Sequence, residues 1–358
     1  MQKILIFLSL FLILPVHAQE VTSTMNGYAD VTSTIGAYEQ FVPISSTAVI
    51  YSTVSTTVTT TDYEVRMDRE LILEPNIRVG LKKTKDAINF VSEQTYQIIS
   101  KGEFVAILPA NEKAKISYKS GKYFFKSESL DLESKTFWRF EPIDNGSVFN
   151  IPGCKISYAG RKIEYCAYRG TLEYRYSAKS GMPYLVNELP LEDYMKGIAE
   201  TDNNSAEGYI KAVLVAARSY AYKNISNIAP TDKRVFDVYA TTQDQLYLGY
   251  TSEQKMPRVA KFVQETAGEM VTYKNNVVTT PYFSRTSGKT KTFKNAKGAN
   301  DRPWLKSVEC IYDKGKKAAG HGIGMSAHDA MMRATKDKTG YVELLMYYYS
   351  DTQVEKIY

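Results

Sequence analysis

The sequence predicts an α+β protein, with mixed helices and antiparallel strands and an N-terminal β-rich region after a Ser/Thr-rich stalk. Three observations carry this expectation. Short alternating apolar segments separated by polar turns run from about residue 76 to 187. Two stretches with helical spacing follow Pro190. Strand-like segments then return after residue 234, and the chain closes on an apolar helix.

Residues 1–18 have the three parts of a secretory signal: Lys3, an apolar run from Ile4 to Val16 broken only by Ser9 and Pro15, and permissive residues Val16 and Ala18 before Gln19. The apolar run is shorter than the roughly 20 residues of a membrane span. The expectation is cleavage and a place outside the cytoplasmic membrane, secreted or in the cell envelope. An uncleaved segment would be an N-terminal anchor, the sole membrane contact expected. Residues 19–75 form the Ser/Thr-rich stalk, partly disordered, in which Val21-Thr22-Ser23-Thr24 recurs as Val31-Thr32-Ser33-Thr34. One or two short strands are the alternative reading of its Val and Tyr content.

Residues 76–158 read as a β-rich domain and 159–358 as a second domain. Strand signals include Ile77–Gly80, Tyr96–Ile99, Phe104–Leu108, Tyr118–Phe125 around the Gly121 turn, Phe137–Phe140, Ile163–Tyr165 and Thr171–Tyr176. After Pro190, Leu191, Tyr194, Met195 and Ile198 share one face of a short helix. Asn204 with Glu207 three residues on reads as a capping box. Behind it, Ile210, Val213, Leu214, Ala217 and Tyr220 make the stripe of a buried helix. Later strands are read at Phe236–Tyr239, Glu269–Tyr273, Val277–Thr280 and Tyr282–Phe283, and the last helix through Val342, Leu345 and Tyr348. Glu200 sits where the chain reverses between the two helices, a placement that can hold a carboxylate at the lip of a cleft.

The formal charge of +6 loses one unit if Lys3 is cleaved away. That excess suits an anionic matrix. No concentrated basic motif appears, so nucleic acid is not an expected partner. The three cysteines, Cys154, Cys166 and Cys310, allow one disulfide and one free thiol. Cys154 and Cys166 flank a Gly160-Arg161 turn and could pair across a hairpin, though that geometry is demanding. No CxxC or HxxxH spacing occurs, so neither metal nor cofactor is expected. Outside the signal segment the chain has only His321 and His328. Gly320-His321-Gly322-Ile323-Gly324-Met325-Ser326 sets one of them among glycines that permit φ > 0 and close approach. It reads as a ligand site or as a turn whose imidazole caps a neighbouring strand.

These residues resemble a known family, stage II sporulation protein D and the amidase-enhancer proteins (the SpoIID/LytB domain). Tyr168-Arg169-Gly170 precedes a block from Leu185 that ends in Gly197-Ile198-Ala199-Glu200. Next come Lys211 to Tyr220, closing on Ala216-Ala217-Arg218-Ser219-Tyr220, and then Gln243 to Tyr250. Pro281-Tyr282-Phe283-Ser284-Arg285-Thr286-Ser287-Gly288 and the Gly320–Ser326 block complete the order. The resemblance covers about residue 160 to 358. It departs at Thr201-Asp202, at Lys289 after Gly288, and at Ala327-His328-Asp329, where the family usually has Met-Pro or Val-Pro, a second glycine, and Gln with an aromatic.

The resemblance implies a cell-envelope protein and a peptidoglycan lytic transglycosylase that cuts between MurNAc and GlcNAc with one glutamate. Glu200, 18 positions before Arg218, matches the family acid, with Asp202 as competitor. Such an acid needs a raised pKa, which apolar burial supplies. Arg218, on a buried helix, needs a partner among Glu200, Glu192 or Asp193; a pair with Glu200 would oppose the raised pKa. His321, with Gly322, Gly324 and Ser326 of its block, would orient glycan hydroxyls or steady an oxocarbenium-like state. Gln245, Tyr247, Ser284 and Ser287 offer hydrogen bonds or a stacking face. The expected partners are peptidoglycan glycan strands and, in the alternative reading, a cell-wall amidase stimulated by a non-catalytic wall-binding module. A cysteine hydrolase built from Cys310 and His321 is a third possibility.

Overall fold

The structure, a computed structural model, describes residues 21–23, 31–33, 73–152, 156–158, 161–163, 166–226, 234–298 and 302–358. The signal segment, Cys154 and most of the stalk lie outside the described residues. The chain divides into two units, Met1–Glu70 and Leu71–Tyr358. In the first, strands Val21–Ser23 and Val31–Ser33 pair antiparallel, Val21 opposite Ser33. They are the two copies of the Val-Thr-Ser echo.

The second unit is α+β. A seven-stranded sheet has the spatial order Val238–Tyr239, Asn76–Lys83, Met182–Pro190, Thr171–Ser177, Trp138–Pro142, Tyr96–Ser100, Glu103–Leu108. A six-stranded sheet runs Ala167–Arg169, Val148–Asn150, Ile88–Ser92, Ala114–Lys119, Lys122–Lys126, Asp131–Ser134. Alternation along these strands turns one set of apolar side chains inward. Phe140 of the first sheet meets Phe90 and Phe125 of the second at ring-centroid distances of 4.8 and 5.4 Å. Each such ring removed from water contributes about 1.5–3 kcal/mol. Strands from both sides of residue 158 lie in the same two sheets: Asn76–Lys83 pairs with Met182–Pro190, and Val148–Asn150 with Ala167–Arg169.

Seven α-helices fall among the described residues: α1 (Leu191–Gly197), α2 (Glu207–Ser226), α3 (Gly249–Lys255), α4 (Pro257–Glu265), α5 (Phe293–Lys297), α6 (Ala327–Met332) and α7 (Tyr341–Tyr348). Leu191, Tyr194, Met195 and Ile198 are all buried, as the spacing of α1 predicts. Helix α2 is buried on more than its predicted stripe. Ile210, Leu214, Ala217 and Ala221 join the core shared with the sheets and α1. Ala212, Val213, Val215 and Ala216 face a second core with Val271, Met325, Leu344, Leu345 and Tyr348. A helix with apolar residues most of the way round must run through the interior.

Several boundaries differ from the sequence reading: the strands read at Phe236–Tyr239 and Val277–Thr280 are Val238–Tyr239 and Asn276–Val277, and two helix details change. Helix α2 begins at Glu207, so Asn204 does not cap it; Asp202 organises the preceding turn instead, accepting from Asn204 N (2.8 Å) and Ser205 Oγ (3.2 Å). In α7 the buried face is Leu344, Leu345 and Tyr348, and Val342 is exposed. Glu269–Tyr273 forms a three-stranded sheet with Asn276–Val277 and Gln353–Lys356. Tyr282–Phe283 pairs in parallel with Met325–Ser326, joining the fifth and sixth sequence blocks. Cys166 is disulfide-bonded and Cys310 is free and buried.

Candidate functional site

Glu200 lies just beyond α1, where the chain straightens at Ile198 (φ −74°, ψ 148°). There it runs against the Gln243–Tyr250 block. Ile198 and Tyr247 form an antiparallel bridge, Ala199 N donates to Leu246 O at 2.8 Å, and Leu248 N donates to Gly197 O at 2.8 Å. This short ladder delivers the Leu246 amide to the Glu200 carboxyl, Oε1 accepting at 2.6 Å. The contact requires a bare Gly197: a Cβ there would stand 2.5 Å from Tyr247 Cε2.

The floor beneath Glu200 is aromatic and polar at once. Tyr247 stacks on Tyr194 at 5.0 Å and donates its hydroxyl to Asn187 Oδ1 at 2.9 Å. At 1 % exposure, Tyr247 offers no face to a sugar, so its stacking role is turned inward. Gln245, equally buried, accepts from Tyr194 OH (2.9 Å) and donates from Nε2 to Ala217 O (3.2 Å) and Tyr282 OH (3.1 Å). Both residues therefore support the site from below. The Tyr194 and Tyr282 hydroxyls are held well above their ordinary pKa by burial, with the Glu200 charge adding to the effect.

Glu200 is half-buried, and loss of solvent raises its pKa above the ordinary carboxyl range, opposed only by the Leu246 N–H. Among the described residues no cation is paired with it. Arg218 does not turn to it: Nε and Nη2 form a two-pronged pair with Glu192 at 2.8 Å each, and Glu192 Oε1 also accepts from Gly268 N and Tyr358 OH. Asp202 is exposed, and its oxygens are taken up by the turn it organises. Of the two carboxyls, Glu200 is the one in an acid-favouring environment.

The glycine block is stitched to the same strand pair. Gly320, Gly322 and Gly324 all have positive φ, at 98°, 83° and 75°. At Gly324 the need is absolute, since a Cβ would lie 2.0 Å from Pro281 O. His321 uses both ring nitrogens on the main chain. Ile323 N donates to Nδ1 at 3.1 Å, which leaves the proton on Nε2 to go to Tyr282 O, also 3.1 Å. The imidazole thus braces a neighbouring strand, and only its ring face and edge remain for a ligand. Burial lowers its pKa, with the Lys297 charge acting the same way.

Ser326 is buried and donates to Asp313 Oδ2 at 2.6 Å. Asp313, which nothing in the sequence marked, also accepts from Thr286 N (2.7 Å) and Thr286 Oγ1 (3.1 Å), and pairs with His328 Nδ1 at 2.7 Å. Asp329 accepts from Tyr312 N (2.8 Å) and Arg333 Nε (2.7 Å). The departures at His328 and Asp329 bring their own partners. Ser284 and Ser287 are exposed, the former fixed through its carbonyl by His328 N at 3.0 Å. Burial pushes the Cys310 thiol up to about 12. With His321 committed to the backbone, no thiolate–imidazole pair forms. Among the described residues no group of three or more His, Cys, Asp or Glu could hold a metal.

A bonded path therefore links three predicted residues, Glu200, Gln245 and His321: Glu200 to Leu246, whose neighbour Gln245 binds Tyr282, whose carbonyl holds His321. Tyr194 and Tyr282 are the additions, and both lay inside matched blocks.

An α+β unit with one desolvated carboxyl over a tyrosine floor is the class that fold and site define. Residues 179–273 match the Stage II sporulation protein (SpoIID) family. An uncharacterized protein of Brachyspira hyodysenteriae is 35% identical over 196 residues, 51% of this chain and 50% of that one. Stage II sporulation protein D of Bacillus subtilis is 28% identical over 141 residues, and that of Bacillus amyloliquefaciens 28% over 142, each match covering 36% of this chain and 41% of theirs. The chain spans half or less of the length of these relatives. Residues 179–273 are thus a segment of the stage II sporulation protein D type.

Proposed function

We propose that this protein is a peptidoglycan lytic transglycosylase with Glu200 as its acid and base. The stage II sporulation protein D match over residues 179–273 supports a cell-wall-related role. The observation that carries the finer reading is the Glu200 carboxyl: desolvated, clear of any paired cation, with Oε1 fixed by the Leu246 amide. Fixing one oxygen leaves the other to hold the proton that a leaving group needs.

Protonated Glu200 donates to the oxygen bridging MurNAc C1 and GlcNAc C4, and the C1–O bond breaks. The carboxylate so formed takes the proton from the MurNAc C6 hydroxyl as its oxygen bonds to C1. The products are a 1,6-anhydro-MurNAc end and a GlcNAc 4-hydroxyl; the proton is back on Glu200 and no water is consumed. One carboxyl suffices because the internal hydroxyl replaces the water that a second carboxylate would activate in a hydrolase. The protein works outside the cytoplasmic membrane in this reading. The described residues contain no helix long and apolar enough to cross a membrane.

The test is mass spectrometry of glycan strands, intact and peptide-stripped, incubated with the protein and with Glu200→Gln. Anhydro ends made by the parent and not by the variant are the expected result. Cleavage that survives in Glu200→Gln refutes the assignment. Binding without cleavage by both proteins turns the reading to an amidase-stimulating wall module.

A further inference from the structure

Between Arg285 and Lys317 the chain has ten Lys and Arg against three acidic residues, more excess charge than the whole chain's +6. No two of these cations are adjacent except Lys316 and Lys317, so no basic motif shows in the sequence. Folding gathers them. Lys289, Lys291, Lys294, Lys314, Lys316 and Lys317 are exposed, and among the described residues none is paired with a carboxylate. Asp313, from the same stretch, is buried and spends its oxygens on Thr286, Ser326 and His328.

The arc is tied to the site by its backbone. Lys291 N donates to Gly322 O at 2.7 Å, and its side chain covers Gly322, where a Cβ would be 3.3 Å from Lys291 Cδ. Arg285 and Ala319 exchange main-chain bonds of 3.1 and 3.0 Å, and Arg285 Nε donates to Lys317 O at 2.8 Å. Gly322 adjoins His321, which holds Tyr282, which reaches the Gln245 that borders the Leu246–Glu200 contact. Unpaired lysines on adjoining surface segments raise the local concentration of a polyanion; a single exposed pair would contribute little.

We propose that this lysine arc is an electrostatic docking surface for the carboxylates of a glycan strand, holding the polymer while a bond is presented to Glu200. The inference rests on the glycan reading above. The shared ligand chemistry is a row of carboxylates on an aminosugar polymer, supplied by MurNAc lactyl groups on stripped strands or by stem peptides on intact ones.

The test reads binding, in a Glu200→Gln background that separates it from cleavage. Labelled glycan strands are titrated at rising salt against this protein and against the same protein carrying Lys289→Gln, Lys291→Gln, Lys314→Gln and Lys316→Gln. The quadruple variant should bind about tenfold more weakly, with a log K against log salt slope shallower by up to about 3. Amidating the strand carboxylates should abolish the difference. Lysine dependence on stripped strands assigns the lactyl groups; dependence confined to intact strands assigns the stem peptides. Equal binding by both proteins, a salt-independent affinity, or tighter binding to duplex DNA of equal charge overturns the proposal. If the unaltered arc binds no glycan at all, the glycan reading of the site falls with it.

Discussion

Replacing Arg218 by Met tests whether this residue holds the fold or touches substrate. Arg218 has no exposed surface, and Glu192 is 14 % exposed. The guanidinium makes two 2.8 Å bonds to Glu192 and weaker ones to Glu269 O (3.2 Å) and Val263 O (3.3 Å). Removing the cation leaves the Glu192 carboxylate with two neutral donors, Gly268 N at 2.9 Å and Tyr358 OH at 2.7 Å. Breaking such a buried pair from one side costs about 3–5 kcal/mol. At about 2 °C per kcal/mol for a unit of this size, the melting temperature should fall by roughly 6–10 °C. Adding Glu192→Gln should recover part of that loss, because the stranded charge is then gone while both neutral donors keep an acceptor. Thermal and denaturant melts of the two single variants and the double variant give the coupling directly. An unchanged melt with lost glycan cleavage, or strict additivity of the two changes, would refute the structural role.

Glu200→Gln should lower cleavage by at least about 100-fold in a protein that still folds, and Asp202→Asn should leave the rate within about twofold. Cleavage should also decline as pH rises through the raised Glu200 pKa, because the charged form has no proton to give. Stability has the same sign: the folded state holds this proton more tightly than the unfolded chain, so the contribution is full below the ordinary carboxyl value and lost above the raised one. Melts of parent and Glu200→Gln between about pH 4 and pH 8 should therefore diverge toward the alkaline end, the variant being the more stable there. Gly324→Ala should cost more than about 3 kcal/mol or prevent folding, because its Cβ falls 2.0 Å from Pro281 O. Gly315→Ala, at φ 74° with open space around it, should cost only about 1 kcal/mol when both variants are compared by urea titration. The lowered His321 pKa means stability present above its ordinary value and lost as pH falls through the folded one. A proton on Nδ1 would face the Ile323 N–H, so the protection of that amide, its exchange rate taken relative to the unprotected rate at each pH, should fall on acidification, and constant protection would contradict the Nε2–H tautomer.

What the sequence revealed depended on local chemistry. The face of α1 and the strand around Phe140 were legible because burial on one side imposes a fixed period on the side chains. Helix α4 carries Pro257 at its first turn and Val259, Phe262 and Val263 along one face, but nine residues hold too few turns for that period to stand out from the sequence. The all-round burial of α2 could not be read from its stripe, since alanines at 212, 216 and 217 carry little periodic signal. In the site, Glu200 was found through its interval from Arg218, whereas the partner of Arg218 is set by packing and remained open among three acids. His321 stood out by rarity, but rarity does not distinguish a ligand-binding ring from a brace; the two main-chain bonds do. Asp313 had no signal, because its partners Thr286, Ser326 and His328 come from two stretches about 40 residues apart.

The stretch shared with the family begins at residue 179, yet its strand Met182–Pro190 is hydrogen-bonded on one side to Asn76–Lys83 and on the other to Thr171–Ser177. Cut out by itself, that stretch would have two bare edges and an uncovered Leu185 and Leu189, the condition in which strands seek foreign partners. Portability is thus denied to the part that carries Glu200. In this chain the Glu200 carboxyl depends on a strand laid down about a hundred residues earlier, and separating the two would break the sheet before it touched the site.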